Sequence, residues 1–578
     1  MAHGSNTYSN KLSTISPPSN QHFRIMASLS PFTGPLGHRR AAHLLRRTSY
    51  QFTKPKVDQI AGQTASQALN TLLQLNPLKQ SQPIYKDLQM QGAPVETWLL
   101  PLPGTPQTSL PAEDFVLRRW VMMWWCNEAL QDTGIGHKMT FFFHQYFQTT
   151  ANTARNSSFF DYLQLLRWGA LGNFKKLAYK MVTDNNMLVY LNNTQNNKTN
   201  PNENFAREFF ELFTIGKGPQ IAPGDYTNYT EDDIVEAAKV LTGFRTRANR
   251  DVVDPETGLP RGDVQFAQHV TGPKTFSSKF NNTVIPGASN NAGMWVELQA
   301  FVDMVFAQPE TAKNLCRRLY RFFVNGKITQ EIETDIIVPL ANTLTSNNFE
   351  VKPVLQQLLQ SQHFFDADDS DNADEIIGGM IKSPLELNYQ TMSFFGMPIP
   401  DPALNTQVYF QIFERGMLQR AFTTANLPLF FASDVAGYPA YYQDPDFSHQ
   451  WFNSSTIISR YKMGEMFLSG LLTIGNTPTQ QLGTKINIAT WVKNSGVISN
   501  PLDSQVLVED LLKYLLPEEV DSTRFDYFHI QVFLDELPPA DWTYEWQNYL
   551  NTNDATEVTI ALERLIKAIL YSQEYQTF

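Results

Sequence analysis

Three carboxylates and one guanidinium are spaced at single helical turns in the stretch Asn200–Gly216, which reads NPNENFAREFFELFTIG. Glu203, Arg207 and Glu211 follow one another at intervals of four residues, so one helix face would carry a cation between two acids. Glu208 falls on the same polar side. Carboxylates buried together in a pocket take different pKa values, which lets one donate and the other accept a proton. A water-facing helix with internal ion pairs fits the same spacing, and both interpretations stay open.

The same stretch carries the signals of a bounded helix. Asn200 is a favoured N-cap, Pro201 suits the first helical position, and Glu203 stands where a capping-box carboxylate reaches back. Gly216 supplies the left-handed residue at which many helices stop. The sequence therefore predicts a helix that begins after Asn200 and ends before Gly216.

Two imidazoles and one ammonium are candidates to stabilise an anionic centre beside these acids. His144 lies among aromatic residues in the predicted helix KMTFFFHQYF, where a core histidine is the alternative. His269 and Lys274 lie in VQFAQHVTGPKTF, on polar, glycine-containing backbone of the kind that often carries function. His269 and Lys274 are also candidate substrate contacts. The simpler interpretation is that they are ordinary loop residues.

Three further residues are candidate substrate contacts. Asn202 lies in the asparagine-rich run LNNTQNNKTNPNEN, whose amides suit sugar hydroxyls or a peptide backbone but also suit a solvated loop. Tyr438 belongs to an aromatic bend whose rings suit sugar faces or core packing equally. Arg46, in GHRRAAHLLRRTSY, belongs either to a cationic wall that faces the acidic helix or to a solvated helix end.

Composition limits the class of protein. The 578 residues carry a net charge of −11, which disfavours a dedicated nucleic-acid binder. No run approaches the ~18 apolar residues of a membrane span, so we expect no integral membrane segment. The first 25 residues lack the apolar stretch of a secretory signal, and the compartment stays undetermined. HExxH, GxSxG, CxxC and dinucleotide-binding glycine patterns are missing from the sequence, so no metal and no cofactor is predicted.

Helical spacing with few alternating segments predicts a mainly α, large multi-helix globular protein. One extended arm, with a β-hairpin, is expected near residues 251–285. Capping boxes at Thr230 and Ser383 predict two helix starts. Four parts are expected, and they are a flexible tail (1–27), an N-terminal helical subdomain with the NPNENFARE helix (28–250), the arm (251–290) and a C-terminal helical subdomain (291–578).

The ordered motifs of the chain resemble one known family, the uncharacterised bacterial "domain of unknown function 1800". The matching pieces are HLLRRTSY, FFFHQYF, NPNENFARE, LTGF, HVTGPKTF, RRLYRFFV, KSPLEL, DVAGYP and SRY. The resemblance implies no established activity. It does imply a partner, because genes of this family often accompany a sulfatase-like protein family, and it implies that many relatives act outside the cytoplasm.

Two functions therefore stay open. The first is a non-catalytic scaffold or partner of a sulfatase-like protein. The alternative is a carboxylate-based hydrolase or lyase that acts on a saccharide or peptide through a Glu/Arg/His pocket. An enzyme predicts that Glu203, Arg207 and Glu211 surround one concave pocket together with an imidazole. A scaffold predicts that these residues lie dispersed, or buried and fully paired.

Overall fold

The helical spacing of the sequence produces a structure built almost wholly from helices. The computed structural model describes residues 27–75, 81–99, 110, 112–247, 249–368, 376–469 and 485–578. Strands in these residues pair only two by two, in four small antiparallel sheets. The predicted mainly α fold is confirmed. The predicted tail at residues 1–27 lies, apart from Ala27, outside the described residues.

The elements before residue 250 are mostly helices. In chain order they are α1 (Gly37–Thr48), α2 (Lys54–Ala61), α3 (Ala65–Leu72), β1 (Ile84–Tyr85), β2 (Glu96–Thr97), α4 (Asp114–Gln131), α5 (Gly136–Tyr146), α6 (Asn156–Gly169), α7 (Phe174–Met181), α8 (Asn185–Tyr190), α9 (Asn204–Glu211), β3 (Gln220–Ala222), β4 (Asp225–Tyr226), α10 (Glu231–Val240) and β5 (Phe244–Arg245).

Three strands of the extended arm open the second half, and helices follow. In chain order these elements are β6 (Asp263–Val264), β7 (Lys274–Thr275), β8 (Val284–Ile285), α11 (Asn291–Phe306), α12 (Pro309–Phe323), α13 (Gln330–Ile332), α14 (Val338–Ser346), α15 (Val351–Leu359), α16 (Pro384–Phe394), α17 (Thr406–Phe410), α18 (Ile457–Ser469), α19 (Ile488–Asn494), α20 (Ser504–Leu515), α21 (Ser522–Asp526), α22 (Pro539–Thr552) and α23 (Thr556–Tyr571). Three π-helical segments directly follow α13, α17 and α21, and these are Glu333–Ile337, Gln411–Phe422 and Tyr527–Phe533.

The arm contains the expected hairpin. Strand β7 pairs with β8 in antiparallel register, with Lys274 opposite Ile285 and Thr275 opposite Val284. Strand β6 pairs with β5, which ties the beginning of the arm to the end of α10. The β5–β6 pairing thereby joins the arm to the helical body.

Two helix starts follow the capping-box chemistry that the sequence indicates. At α10, the Thr230 side chain accepts from the Asp233 N–H, and the Asp233 side chain accepts from the Thr230 N–H. At α16, Ser383 and Glu386 make the same reciprocal pair, with Pro384 at the first position. Both boxes satisfy N–H groups that a helix start otherwise leaves unpaired.

Buried apolar side chains form one continuous cluster that extends from Leu36 to Tyr575 in the described residues. Helix α9 packs on it through Phe209 and Phe210, whose rings lie 5.2 and 5.7 Å from the ring of Phe301 in α11. The division into subdomains at residues 250 and 290 stays a prediction. Among the described helices, none has the length and hydropathy that crossing a bilayer requires.

Candidate functional site

Helix α9 lies within the predicted bounds but is shorter than its sequence signals indicate, since it starts at Asn204 rather than directly after Asn200 and ends at Glu211, short of Gly216. The asparagine side chains compete with the helix for its first donors. Asn196 Oδ1 accepts from the Asn202 N–H and Asn202 Oδ1 accepts from the Asn204 N–H, so the backbone turns until Asn204 and Asn200 does not cap the helix. The helix ends at Glu211, and Gly216, with φ of 72°, closes the turn by donating to the Phe210 carbonyl.

The polar face of α9 carries Glu203, Arg207, Glu208 and Glu211, which we name the α9 ridge. Arg207 binds Glu231 of α10 through both terminal nitrogens, at 2.9 and 2.6 Å. The same guanidinium lies 3.2 Å from Glu203 and 3.6 Å from Glu211. Its hydrogen bonds to Glu231 raise the pKa of Arg207. The side chain is 30% exposed, so the ridge lies at the surface with its cation fully engaged.

Glu211 is engaged on a second side. The Tyr229 hydroxyl donates to it, and Lys217 Nζ lies 3.5 Å from its carboxylate. Burial raises the pKa of Tyr229, and the bond to Glu211 raises it further, so the phenol keeps its proton. Glu203, Arg207 and Glu211 are therefore brought together as the sequence indicates, in a network of paired charges.

Glu208 differs from its neighbours on the ridge. Among the described residues, no donor binds its carboxyl group, and Arg207 points its terminal nitrogens at Glu231. Burial raises the pKa of Glu208 to about 7, and the negative charges of Glu211 and Asp434 contribute, while Arg207 opposes the change. A carboxyl group with this pKa exchanges its proton at neutral pH, which is the property of a general acid.

The aromatic bend adds a second negative charge, that of Asp434, to the one that Glu211 exerts on Glu208. Asp434 belongs to DVAGYP, and its charge, second to burial, raises the pKa of Tyr190 and Tyr442. The bend is fixed on α5, because a Cβ at Gly437 would meet Gln145 Oε1 at 2.9 Å and its φ of 97° favours glycine. Sequence reasoning missed Asp434 and Tyr190. The DVAGYP motif was the available signal for Asp434, and nothing in the sequence marked Tyr190.

His144 is not part of this surface. Its ring is fully buried on α5 and packs against Phe141 and Phe430. Nδ1 lies 2.9 Å from the Tyr162 hydroxyl, which itself donates to the Phe147 carbonyl. Burial lowers the pKa of His144 to about 3, so the ring is neutral at physiological pH. The structure places this candidate catalyst in the core, with no contact to the α9 ridge.

His269 and Lys274 lie together, in a closed network around Glu297 of α11. His269 Nε2 is 3.1 Å from Glu297, and its Nδ1 is 2.9 Å from the Thr242 carbonyl. Lys274 pairs with the same carboxylate and also donates to the Val270 carbonyl at 2.5 Å. All three side chains are at most 1% exposed. They fasten the arm to α11, and among the described residues none of their hydrogen bonds or ion pairs reaches the α9 ridge.

The remaining candidate substrate contacts are used internally. Tyr438 is buried, and its hydroxyl donates to the Pro428 carbonyl at 2.5 Å. Asn202 shapes the entry to α9, as described above. Arg46 is 2% exposed and donates to the Tyr514 and Leu516 carbonyls at 2.7 and 3.1 Å. The cationic wall expected to face α9 therefore does not form, because Arg46 points into the body of the protein.

Arg46 belongs to a buried set of charges, which we name the cation cluster. Its members are at most 4% exposed and comprise five cations and one carboxylate, namely Arg46, Arg47, Lys138, Lys382, Arg460 and Glu386. Lys138 Nζ lies 3.1 Å from Glu386. The motifs HLLRRTSY, KSPLEL and SRY thus supply charges to one interior site.

Backbone carbonyls supply most of the negative partners in the cation cluster. Lys138 donates to the carbonyls of Arg46 and Arg47 at 3.2 and 2.9 Å, in the last turn of α1. Arg47 donates to Ile376, and Lys382 donates to Tyr575. Burial lowers the pKa of all five cations, and Glu386 opposes this effect most directly at Lys138.

The described residues offer no assembled metal site, since no group of three His, Cys, Asp or Glu side chains in them is arranged to hold an ion. The site that the structure does assemble is the α9 ridge with Glu231, Asp434, Tyr190 and Tyr442. It can attract positive charge, and through Glu208 it can exchange a proton.

Comparison with known proteins identifies the family. No curated protein and no solved structure matches the chain. Residues 43–577 match the family described as "Protein of unknown function (DUF1800)". The match spans the α9 ridge, the aromatic bend and the cation cluster, and it covers nearly the whole of the 578 residues. The chain therefore belongs to the DUF1800 family of proteins of unknown function.

Proposed function

We propose that this protein is a non-catalytic scaffold that presents the α9 ridge to a partner protein. The observation that carries the proposal is the position of the polar residues. Glu203, Arg207 and Glu211 lie toward the surface and pair with one another, whereas His144, His269 and Lys274 are enclosed in the interior. The Glu/Arg/His pocket of the enzyme alternative would need an imidazole beside the ridge.

The ridge and its neighbours carry an excess of negative charge. Two cations, Arg207 and Lys217, pair with Glu203, Glu211 and Glu231. Two further carboxylates, Glu208 and Asp434, bring the number of acids to five. Such a surface attracts a partner with a complementary basic face and accelerates their encounter. The sulfatase-like proteins whose genes accompany this family are the partner class that we propose.

The test is a binding titration of this chain with a sulfatase-like protein encoded beside it, at low and high salt. We expect Glu203→Gln with Glu208→Gln to weaken binding at least fivefold, and raised salt to weaken the wild type more than the double variant. Glu557→Gln, on the exposed surface of α23, is the matched control and should bind as the wild type does. Absence of a complex, or equal loss in the control, would refute the scaffold proposal.

Glu208 favours a second candidate, a hydrolase or lyase that acts on a saccharide or peptide. A carboxyl group with a pKa of about 7 can serve as a general acid, and the charge of a second carboxylate, Asp434, helps to raise that pKa. Tyr190 and Tyr442, at the same place, offer rings and hydroxyls to a substrate.

This candidate is tested by screening polysaccharide and peptide turnover with the wild type and with Glu208→Gln. An enzyme predicts a turnover that Glu208→Gln reduces at least a hundredfold, and a rate that falls as pH rises through about 7 because the proton donor is lost. Glu203→Gln is the control for ridge charge and should retain the activity. A turnover that Glu208→Gln leaves unchanged would remove Glu208 from the mechanism.

A further inference from the structure

A cavity of about 350 Å³ opens between α4 and the π-helical segment Gln411–Phe422, far along the chain from the α9 ridge. Its volume lies in the range of small-molecule sites. Apolar side chains form most of its wall, and these include Phe115, Met122, Leu418, Leu429 and Phe431. Phe115 and Phe431 are 52% and 37% exposed, which is unusual for such large rings. The cavity therefore offers an apolar interior and an aromatic rim.

Two arginines, Arg118 and Arg119, line this cavity, and Arg119 is the more exposed of the two. Arg119 donates through Nε to Glu414 Oε1 at 2.6 Å, and its side chain is 32% exposed. Among the described residues, its two terminal nitrogens have no hydrogen-bond partner. A guanidinium group presents two edges, each of which matches a carboxylate. Glu414 occupies the Nε, so the terminal nitrogens remain for a second anion.

Glu414 lies on the opposite wall, in the π-helical segment Gln411–Phe422, and a second side chain of that segment hydrogen-bonds to it. Gln419 donates to Glu414 Oε1 at 2.8 Å across a spacing of five residues. In an α-helix, two residues five apart point about 140° away from each other, whereas the wider π-helix brings them to one side. Glu414 is 5% exposed, so its orientation is fixed by these two bonds. A π-helix is rare and is frequently found at functional sites.

We propose that this cavity binds a small-molecule monocarboxylate with an aromatic or branched apolar body. The carboxylate lies on the terminal nitrogens of Arg119, and the body lies between the rim rings and Leu418. A carboxylate fits better than a phosphate ester, because Glu414 already places one negative charge on this guanidinium and a dianion would be repelled more strongly. The apolar wall and the open terminal edge of Arg119 together define this ligand class.

The test uses 3-phenylpropionate as the probe and isothermal titration or ligand-observed NMR as the measurement. We expect saturable binding with one site per chain. The uncharged analogue 3-phenylpropanamide should bind at least tenfold more weakly, since it cannot pair with the guanidinium. Phenyl phosphate should also bind more weakly. Equal binding of acid and amide, tighter binding of the phosphate, or no saturable binding of 3-phenylpropionate would overturn the proposal.

Variants locate the probe. Arg119→Lys keeps a charge beside buried Glu414 but loses the planar edge, and we expect at least a tenfold weaker affinity. Phe431→Ala removes an exposed rim ring without opening the core, and a fivefold loss is expected. Tyr544→Ala, on a 69% exposed ring of α22, is the matched control and should bind as the wild type does. Unchanged affinity in both Arg119→Lys and Phe431→Ala would show that the probe binds elsewhere.

Discussion

The α9 ridge and the cation cluster each gather an excess of one charge, but in opposite environments. Around the ridge, five carboxylates face two cations at the surface. In the cluster, five cations share one carboxylate, and every member is at most 4% exposed. Water screens the excess charge of the ridge, whereas charges in the interior interact in a medium of much lower effective dielectric constant.

The difference shows what replaces water in the interior. The cluster lies where helices end, and the C-terminal carbonyls of a helix carry a partial negative charge. Arg46 binds the carbonyls at the end of α20, and Lys138 binds those at the end of α1. Backbone carbonyl dipoles therefore stabilise the buried cations, as water stabilises charges at the surface. Because Glu386 is the single carboxylate of the cluster, its loss should lower the free energy of unfolding more than the loss of any one acid of the ridge.

The largest expected effect comes from removing that carboxylate. Glu386→Gln leaves Lys138 buried without a counter-charge and should lower the free energy of unfolding by about 3–5 kcal/mol. The same change beside the ridge, Glu231→Gln on α10, removes a partly exposed partner of Arg207. It should lower the free energy of unfolding by less than about 1 kcal/mol. Urea unfolding midpoints compare the two variants. Equal losses would mean that the cluster is hydrated and that the contrast is false.

A double-variant cycle sharpens the same comparison. Lys138→Met removes the ammonium that lies 3.1 Å from Glu386 and should be destabilising alone. In combination with Glu386→Leu, the loss should be smaller than the sum of the single losses by about 1–2 kcal/mol, because neither charge is then left unpaired. Strict additivity of the two unfolding free energies would show that Lys138 and Glu386 do not interact.

A smaller effect, with a defined pH dependence, is expected at Glu208. Its pKa in the folded protein is raised from 4.5 to about 7, so its ionisation opposes folding. The penalty is absent well below pH 4.5, grows between pH 4.5 and 7, and is complete above pH 7. Glu208→Gln should therefore stabilise the protein by roughly 1 kcal/mol at pH 8, after allowance for solvent screening, and by nothing at pH 4. Unfolding midpoints at the two pH values measure this, and a pH-independent difference would contradict it.

The smallest effect is expected at the outer end of the ridge. Glu203 is 44% exposed and contacts Arg207 at 3.2 Å, while Glu231 already holds that guanidinium with two shorter bonds. Glu203→Gln should change the free energy of unfolding by no more than about 0.5 kcal/mol, and raised salt should remove the difference. A loss above 1 kcal/mol would show that the ridge is less hydrated than its exposure indicates.

Local chemistry was predictable from the sequence wherever partners are close along the chain. The capping boxes at Thr230 and Ser383 form as expected, because each needs only residues three positions apart. The ion pairs of Arg207 with Glu203 and Glu211 also follow from helical spacing. At α9, the helix began later than expected because asparagine side chains took its first donors, and spacing cannot decide that competition.

Long-range partners were not predictable in this way. Arg46 has the spacing of a surface cation, yet its guanidinium binds carbonyls of a helix that follows hundreds of residues later. Asp434 shifts the pKa of Glu208 from a bend that is equally remote in the chain. Neither residue carries a local pattern that names its partner, because the partner is set by how the helices pack.

The cation cluster also constrains the order in which the chain can fold during its synthesis. Arg46 and its acceptor, the Tyr514 carbonyl, are 468 positions apart. Lys382 donates to the carbonyl of Tyr575, which lies 193 positions later in the chain. Until α20 has left the ribosome, Arg46 lacks both of its interior carbonyl acceptors. We therefore expect this interior site to be completed only after the C-terminal helices have been synthesised.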